Sequence, residues 1–528
     1  MGLIIEIMEK KEKFTAHINE GYACKGDSII LGGAMLDGEP LNNAQVKVPL
    51  KTMNRHGLIA GATGTGKTKS LQVIAEQLSK KGVPVLLMDV KGDLSGIAMA
   101  GTEKPFITER HAKIGVPYST GGCPVELMTI SKQDGVRLRA TVSEFGPVLL
   151  SRILDLNDTQ GGVLAVIFKY CDDKGMPLLD LKDLKKVIQY ATEEGKAEFE
   201  REYGKISTST TGIILRKVME LEQQDADLFF GELSFEVRDL MRRDRDGNGY
   251  VNIIRLTDIQ DKPKLFSTFM LCLLAEVYDT MPERGDVEKP ELVIFIDEAH
   301  LVFNQASKAL LNEIENIVKL IRSKGVGVFF VTQNPMDVPN DVLAQLGLKI
   351  QHALRAFTAV DRQAIKLTAE NFPISEFYKT DETLTSLGIG EALVTALNEK
   401  GIPTPLAATM MRAPMSRMDI LSQEEINSLN RNSDIVRKYA QSVDRESAFE
   451  ILSKKIEIVQ KQAAEEAERK EWEKESRGDW EKERRGEWGR RSTGTTGRRR
   501  TAASPVVKVL TSATFIRGVL GIMKKVMK

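Results

Sequence analysis

Gly61-Ala62-Thr63-Gly64-Thr65-Gly66-Lys67-Thr68 matches G-x-x-x-x-G-K-[ST], the pattern of a phosphate-binding P-loop. Gly61, Gly64 and Gly66 let the backbone turn tightly and point N–H groups inward at a polyanion. Lys67 supplies a point charge for the β- and γ-phosphates, and Thr68 a hydroxyl where Mg2+ would sit. Thr63, Thr65 and Lys69 complete the run expected to line the nucleotide. Upstream, His56-Gly57-Leu58-Ile59-Ala60 is a short apolar run, as a buried parallel strand should be. Downstream, Thr68 to Ser79 reads as a helix, with Leu71, Ile74, Ala75 and Leu78 on one face and Gly82 as its stop. The phosphates would therefore also meet the partial positive charge of a helix N-terminus.

Three further apolar runs with polar ends extend this unit. Val83-Pro84-Val85-Leu86-Leu87-Met88-Asp89 reads as a buried strand. Asp89-Val90-Lys91-Gly92-Asp93 then lies at its carboxyl end, the edge where open α/β sheets bind ligands; a plain polar turn is the competing reading. Leu292-Val293-Ile294-Phe295-Ile296 ends in Asp297-Glu298, the Walker B pattern. Asp297 would hold Mg2+ through its water shell, and Glu298 would orient and deprotonate the water that attacks the γ-phosphate. Val326 to Gln333 is another buried strand, whose Thr332 and Gln333 would lie beside the Walker B acids and sense the γ-phosphate, or simply cap the strand. A helix with a period near 3.6 precedes it, through Leu310, Leu311, Ile314, Ile317, Val318 and Ile321. Ile350 to Ala356 looks like one more strand with Arg355 near its end, and Gly388 to Leu397 like the last strand of the core. His300 and His352 are isolated and read as structural histidines rather than metal ligands.

The fold class is therefore α/β: a P-loop NTPase of the additional-strand type, with a helical insertion and a charged helical C-terminal extension. The expected divisions are a short N-terminal β segment (1–50), the P-loop half of the core (51–128) and a mainly helical insertion (129–261). The Walker B and sensor half (262–415), a charged helical linker (416–490) and a basic amphipathic tail (491–528) follow. Within the insertion, Asp244-Arg245-Asp246-Gly247-Asn248-Gly249 imitates the start of an EF-hand loop. The twelfth position is Arg255 instead of the bidentate Glu, and Tyr250 to Leu256 alternates like a strand; the stretch reads as a Gly-rich turn, not a calcium site.

In the extension, Trp472, Trp480 and Trp488 recur every eight residues within a run dense in both charge signs. Eight residues advance a helix by about 80°, so the three rings would not share a face. A solvated, partly disordered linker and a partner-binding repeat are the two readings. Near the terminus Phe515, Val519, Leu520, Ile522 and Met523 fall on one side of a helix, and Arg517, Lys524, Lys525 and Lys528 on the other. Such a helix would dock on the chain's own core, a protein partner, DNA or an anionic lipid surface.

Composition bounds the remaining choices. The chain has 528 residues, 42% apolar and 28% charged, with 74 basic and 74 acidic side chains, so any basic surface is local. Cys24, Cys123, Cys171 and Cys272 form no C-x-x-C pair and read as buried reduced thiols of a cytoplasmic protein. No run is long and apolar enough for an integral membrane segment, and the first residues carry neither a secretory nor a myristoylation signal.

Several longer stretches carry a resemblance: Asn54 to Thr68, Thr141 to Arg152, Asp297 to Leu301, Leu320 to Val328, Thr332 to Pro335 and Gln351 to Thr358. From about Val48 to Pro405 the chain resembles the bacterial HerA-like P-loop ATPases with a helicase HerA-like C-terminal domain, of the YjgR type, in the HerA/FtsK superfamily. The resemblance implies a RecA-like sheet, ATP and Mg2+ as cofactors, and a homo-oligomeric, hexameric ring with ATP at the subunit interfaces. It further implies double-stranded DNA drawn through the pore, and an arginine supplied by the neighbouring subunit. Arg152 and Arg355 are the positions carried over for that arginine, with Arg322 third. Two departures stand out: the segment before Val48 is shorter than the barrel HerA uses to bind its nuclease, and Leu348-Lys349 replaces an expected Asn-Arg. An ATP-switched scaffold that binds a protein partner through the charged extension is the alternative to a DNA motor, and an ATPase weakly anchored to membranes by the terminal helix is a third.

Overall fold

The computed structural model describes residues 2–285, 287–303, 308–441, 443 and 445–487. The terminal basic helix predicted within 491–528, and Trp488, lie outside them. By contacts the chain divides into Met1–Ile456 and Glu457–Lys528.

The first unit is built on one sheet of twelve strands. In chain order these are β1 Ser28–Leu36, β2 Glu39–Pro49, β3 Gly57–Ala60, β4 Val85–Asp89, β5 Val125–Thr129 and β6 Val136–Arg137, followed by β7 Val251–Arg255, β8 Leu292–Ile296, β9 Val326–Thr332, β10 Leu348–His352, β11 Glu391–Thr395 and β12 Ala407–Met411. Their order across the sheet is β2-β1-β12-β11-β10-β3-β9-β8-β4-β7-β5-β6. From β10 to β6 all neighbours are parallel; β10–β11, β11–β12, β12–β1 and β1–β2 are antiparallel. Strand β9 lies between the P-loop strand β3 and the Walker B strand β8, which is the additional strand of this class.

The parallel strands read as unbroken apolar runs because both faces are covered. Leu58, Leu86, Met88, Ile294, Ile296, Val328 and Phe330 face one core, with the helical insertion packed over it. Ile59, Val85, Leu87, Val293, Phe295, Phe329 and Val331 alternate with them and face the other, which the P-loop helix Lys67–Lys80 covers with Leu71, Ile74, Ala75 and Leu78.

The fold departs from the sequence reading at several points. The first residues are not strands: Gly2–Gly21 is a helix, rich in Glu and Lys, with Phe14 and Ile18 one turn apart in the core. Only then comes the hairpin β1–β2, closed by Asp37-Gly38, both at positive φ. The stretch 129–261 is not one insertion, because β7 pairs with both β4 and β5 inside the sheet. Its helices are Val142–Ile153, Asp158–Lys174, Leu181–Thr192, Lys196–Glu202, Thr208–Glu222 and the short Val237–Leu240. The core does not end at β11, since β12 follows and joins the β1 hairpin to the sheet.

The residues after Ser416 are not all exposed. Ile426, Ile435, Tyr439, Ala448 and Leu452, on helices Gln423–Asn432, Asp434–Ala440 and Ala448–Glu487, are buried. The last helix runs unbroken past Gly478 and Gly486, and Trp472 on it is exposed. Cys24 is only partly buried, whereas the other three cysteines are buried, and all four are free thiols.

The Gly-rich turn before β7 is closed by its own hydrogen bonds. Asp244 Oδ1 accepts from the backbone N–H of Asp246 and Asn248, and Oδ2 accepts from Asn248 Nδ2. No helix among the described residues is long and apolar enough to cross a membrane.

Candidate active site

Sheet register assembles the site. Ala60 pairs with Thr332 and with Gln351, so Gly61 emerges level with Gln333 on one side and His352 on the other. Met88 pairs with Ile296, so Asp89 and Asp297 emerge side by side. The P-loop, the Walker B acids, Gln333 and the 89–93 turn thus share the carboxyl edge of the sheet.

The loop needs its glycines. Gly61 has φ 150°, and a Cβ there would lie 2.5 Å from His352 Cβ. Gly66, at φ 117°, caps the helix that begins at Lys67; a Cβ on it would press on the Gly390 backbone at 3.2 Å. The loop is tied down from outside, as Ala62 N–H donates to Ala353 O (2.9 Å) and Gly390 N–H to Thr65 O (2.9 Å). Lys67 Nζ folds back on its own loop, donating to Gly61 O (2.7 Å) and Ala62 O (3.0 Å). Burial and the nearby Lys91 charge lower its pKa, against the opposing pull of Glu298 and Asp297.

Asp297 and Glu298 are both buried. Asp297 Oδ2 has no hydrogen-bond partner. Burial foremost, with the charges of Glu298 and Asp93, pushes the Asp297 carboxyl up to about 7 against the Lys91 charge. A buried, unpaired oxygen on an acid beside the P-loop suits a cation or its water, and so does the Thr68 hydroxyl at the start of the helix. Glu298 adopts φ 49°, the left-handed region that β-carbon-bearing residues seldom visit. Its carboxylate meets the Lys91 ammonium through Oε1, and His300 Nδ1 lies 3.0 Å from Oε2. Beyond these contacts neither oxygen has a hydrogen-bond partner.

The predicted sensors separate. Gln333 Oε1 accepts from the Thr63 hydroxyl at 3.4 Å, so it reaches the P-loop. Thr332 is a strand-end cap, its hydroxyl donating to Asp337 Oδ2 at 2.5 Å. Lys69 turns away from the loop and donates to Met418 O (2.6 Å). His352 is structural: Nδ1 lies 2.8 Å from Glu391 O and Nε2 2.9 Å from Ser70 Oγ. A carbonyl only accepts, so Nδ1 carries the proton and the serine hydroxyl donates to Nε2.

The arginines are dispersed. Arg355 lies three residues past the end of β10, exposed, with Nη1 donating to Thr385 O (3.1 Å). Arg152 is exposed on helix Val142–Ile153 of the insertion. Arg322 stands near His56 at the amino ends of the strands, across the sheet from the P-loop. Lys349 pairs with Leu58, so the Leu348-Lys349 departure also lies toward that far edge.

The 89–93 turn stood out in the sequence as a candidate ligand edge, but the approach of Lys91 to Glu298 did not. The signal was the β4–β8 adjacency, which only the assembled sheet shows. Asp89 builds the turn that presents Lys91 and Asp93: Oδ1 accepts from Gly92 N–H (2.7 Å) and Asp93 N–H (3.2 Å), and Oδ2 from Leu94 N–H (3.2 Å).

A glycine loop opening a helix, two acids at the end of β8 and a polar-ended strand between them define a P-loop ATPase of the additional-strand, HerA/FtsK type. A model of the helicase HerA-like C-terminal family matches residues 35–527, and the chain belongs to that family. It is an ATP-hydrolysing enzyme that binds nucleotide. The DNA double-strand break repair helicase HerA of Sulfolobus acidocaldarius is 20% identical over 390 residues, 73% of this chain and 70% of the relative. That of Saccharolobus solfataricus is 23% identical over 357 residues, 67% of this chain and 64% of the relative. Among solved structures, the bacterial conjugative coupling protein TrwB without its first 70 residues shares the fold, with a TM-score of 0.50 and 14% identity over 77% of this chain and 94% of that one.

Proposed function

We propose that the chain is a Mg2+-dependent ATP hydrolase that works as a ring-forming motor on double-stranded DNA. The observation that carries the ATPase site is the convergence of Lys67, Asp297, Glu298 and Gln333 on one sheet edge around the glycine loop. Gly61 to Lys69 would hold the phosphates by backbone N–H groups, with Lys67 leaving its loop carbonyls for the β- and γ-phosphates. Thr68 and Asp297 would hold Mg2+, which when bound supplies charge neutralisation at the phosphate oxygens. Glu298 would orient the attacking water and take its proton, with Gln333 beside it reading the γ-phosphate.

The ring rests on the family and on the surface beside Arg355. Phe357 and Val360 there are 87% and 74% exposed, an apolar surface of the kind a neighbouring subunit covers. Arg355 would then reach a neighbour's nucleotide, with Arg152 as the other candidate. The DNA reading draws on the relatives' printed roles as DNA repair helicases and a conjugative coupling protein.

Steady-state ATP hydrolysis with and without double-stranded DNA tests the motor, with Glu298→Gln as the blank. DNA should stimulate turnover, and the variant should bind ATP yet lose about 10²–10⁴ in rate. Wild-type turnover by Glu298→Gln would remove that residue from the chemistry. Robust hydrolysis indifferent to DNA would favour the scaffold reading, for which the exposed Ile458, Val459 and Trp472 on the last helix offer partner contacts.

A further inference from the structure

Two lysines stand parked at the phosphate end of the site. Lys67 rests on the Gly61 and Ala62 carbonyls, and Lys91 on the Glu298 carboxylate. The Lys91 charge weighs against that on Lys67. The environments differ: the Lys91 side chain is 37% exposed, whereas that of its partner Glu298 is 7% exposed. Asp89 fixes the backbone around Lys91 through three N–H bonds, so its side chain can swing without the turn moving. With Lys91 on Oε1 and His300 Nδ1 beside Oε2, each Glu298 oxygen already has a nitrogen next to it that a water would have to share.

We propose that Lys91 is a phosphate-responsive clamp on Glu298. Without a γ-phosphate it holds the carboxylate as an ion pair; the γ-phosphate draws the ammonium away and so frees the general base. This rests on the ATPase site proposed above and adds its regulation. The physical ground is competition for one cation. Asp89, Asp93, Asp297 and Glu298 crowd this edge, and Lys69 is bound to Met418 O. Besides Mg2+, a triphosphate brought to this edge would draw the ammonium groups of Lys67 and Lys91. Burial works against the charge on Lys91, but Glu298, Asp297 and Asp93 outweigh it and hold its pKa above the usual lysine value, so it arrives charged. The arrangement ties base release to the triphosphate, because ADP has no group to compete for the clamp.

The test is a binding cycle with ATPγS and ADP, each with Mg2+, on wild type, Lys91→Met, Glu298→Gln and the double variant. Glu298→Gln removes the pair, so ATPγS should bind about 5- to 10-fold tighter while ADP is unchanged. Lys91→Met should lower the ATPγS-to-ADP preference about tenfold, and in that background Glu298→Gln should no longer tighten ATPγS. Lys91→Arg should restore most of the preference, which a merely structural lysine would not require. An unchanged preference in Lys91→Met, or additive effects in the cycle, overturns the clamp. Lys67→Ala separates the two levels: if it binds both nucleotides normally, the site reading itself fails, whatever Lys91 does.

Discussion

His352 and His56 are buried and neutral in the folded protein, their pKa values pushed down to about 4 from 6.5, in each case by burial foremost. Around His352 the Lys67 charge adds to this and the Glu391 carbonyl opposes it; at His56 the Val328 N–H donates to Nδ1 (3.0 Å), which leaves no lone pair there for a proton. As pH falls below 6.5, the unfolded chain takes up protons that the folded chain refuses. Each histidine should therefore take about 1.4 kcal/mol per pH unit from stability between about pH 6.5 and 4, while the Asp297 and Asp89 carboxyls, pushed up to about 7 and about 6 in the folded chain, work in the opposite direction. Thermal melts of wild type and His352→Gln across that range isolate the histidine: the variant should lose one proton's share of the acid-side decline. At this scale the sequence was most legible where chemistry dictates residue type. Gly61, Lys67 and Asp297 announce themselves because a polyphosphate demands that spacing. Lys91 does not, because its partner Glu298 is distant in the chain and meets it only through the β4–β8 register. Lys69 is a related case: it follows the glycine loop in sequence, but its amine donates to a carbonyl from beyond β12.

The P-loop helix carries a second, polar side. Gln72 Nε2 donates to Ser416 Oγ (2.8 Å) and Arg417 O (2.9 Å), and the buried Glu76 accepts from Met415 N–H (2.8 Å), Ser416 N–H (3.1 Å) and Ser416 Oγ (2.8 Å). Replacing Glu76 with Ala strands buried N–H groups and should cost about 3 kcal/mol in urea unfolding, with Gln intermediate. Farther along, the Tyr439 hydroxyl donates to Asp239 Oδ2 (2.7 Å) and accepts from Glu236 N–H (2.9 Å). Tyr439→Phe keeps the ring and loses both bonds, an expected loss of about 1–2 kcal/mol by the same measurement. These contacts explain why 416–456 resisted reading. Its helices are charged along most of their length, and a few buried residues, Ile435 and Tyr439 among them, do not make a long apolar period. The parallel strands were easy for the opposite reason, since two covered faces leave no polar residue to blur the run. The first helix was misread because Phe14 and Ile18 are too sparse to show a period by themselves.

For the whole molecule, the contact boundary after Ile456 makes a sharper forecast than the composition shift near Ser416. A chain ending at 456 should melt within a few degrees of the full-length protein, whereas one ending at 415 should fail to fold, as circular dichroism would show. Assembly can be tested separately: Phe357→Asp should lower the mass seen by light scattering if that face joins subunits, and leave each subunit's nucleotide binding intact. An unchanged mass would place the contact elsewhere. The bond between Glu76 and Ser416 has a last consequence, for how the protein is made. Some 340 residues separate the two partners. At roughly 5–20 residues per second, a ribosome takes on the order of tens of seconds to cross that gap. Through that interval the helix that follows the glycine loop exists with its carboxylate unanswered. Nascent chains should therefore gain a settled nucleotide pocket late in synthesis, and chaperones would be expected to shelter the early half until the 415–418 segment emerges.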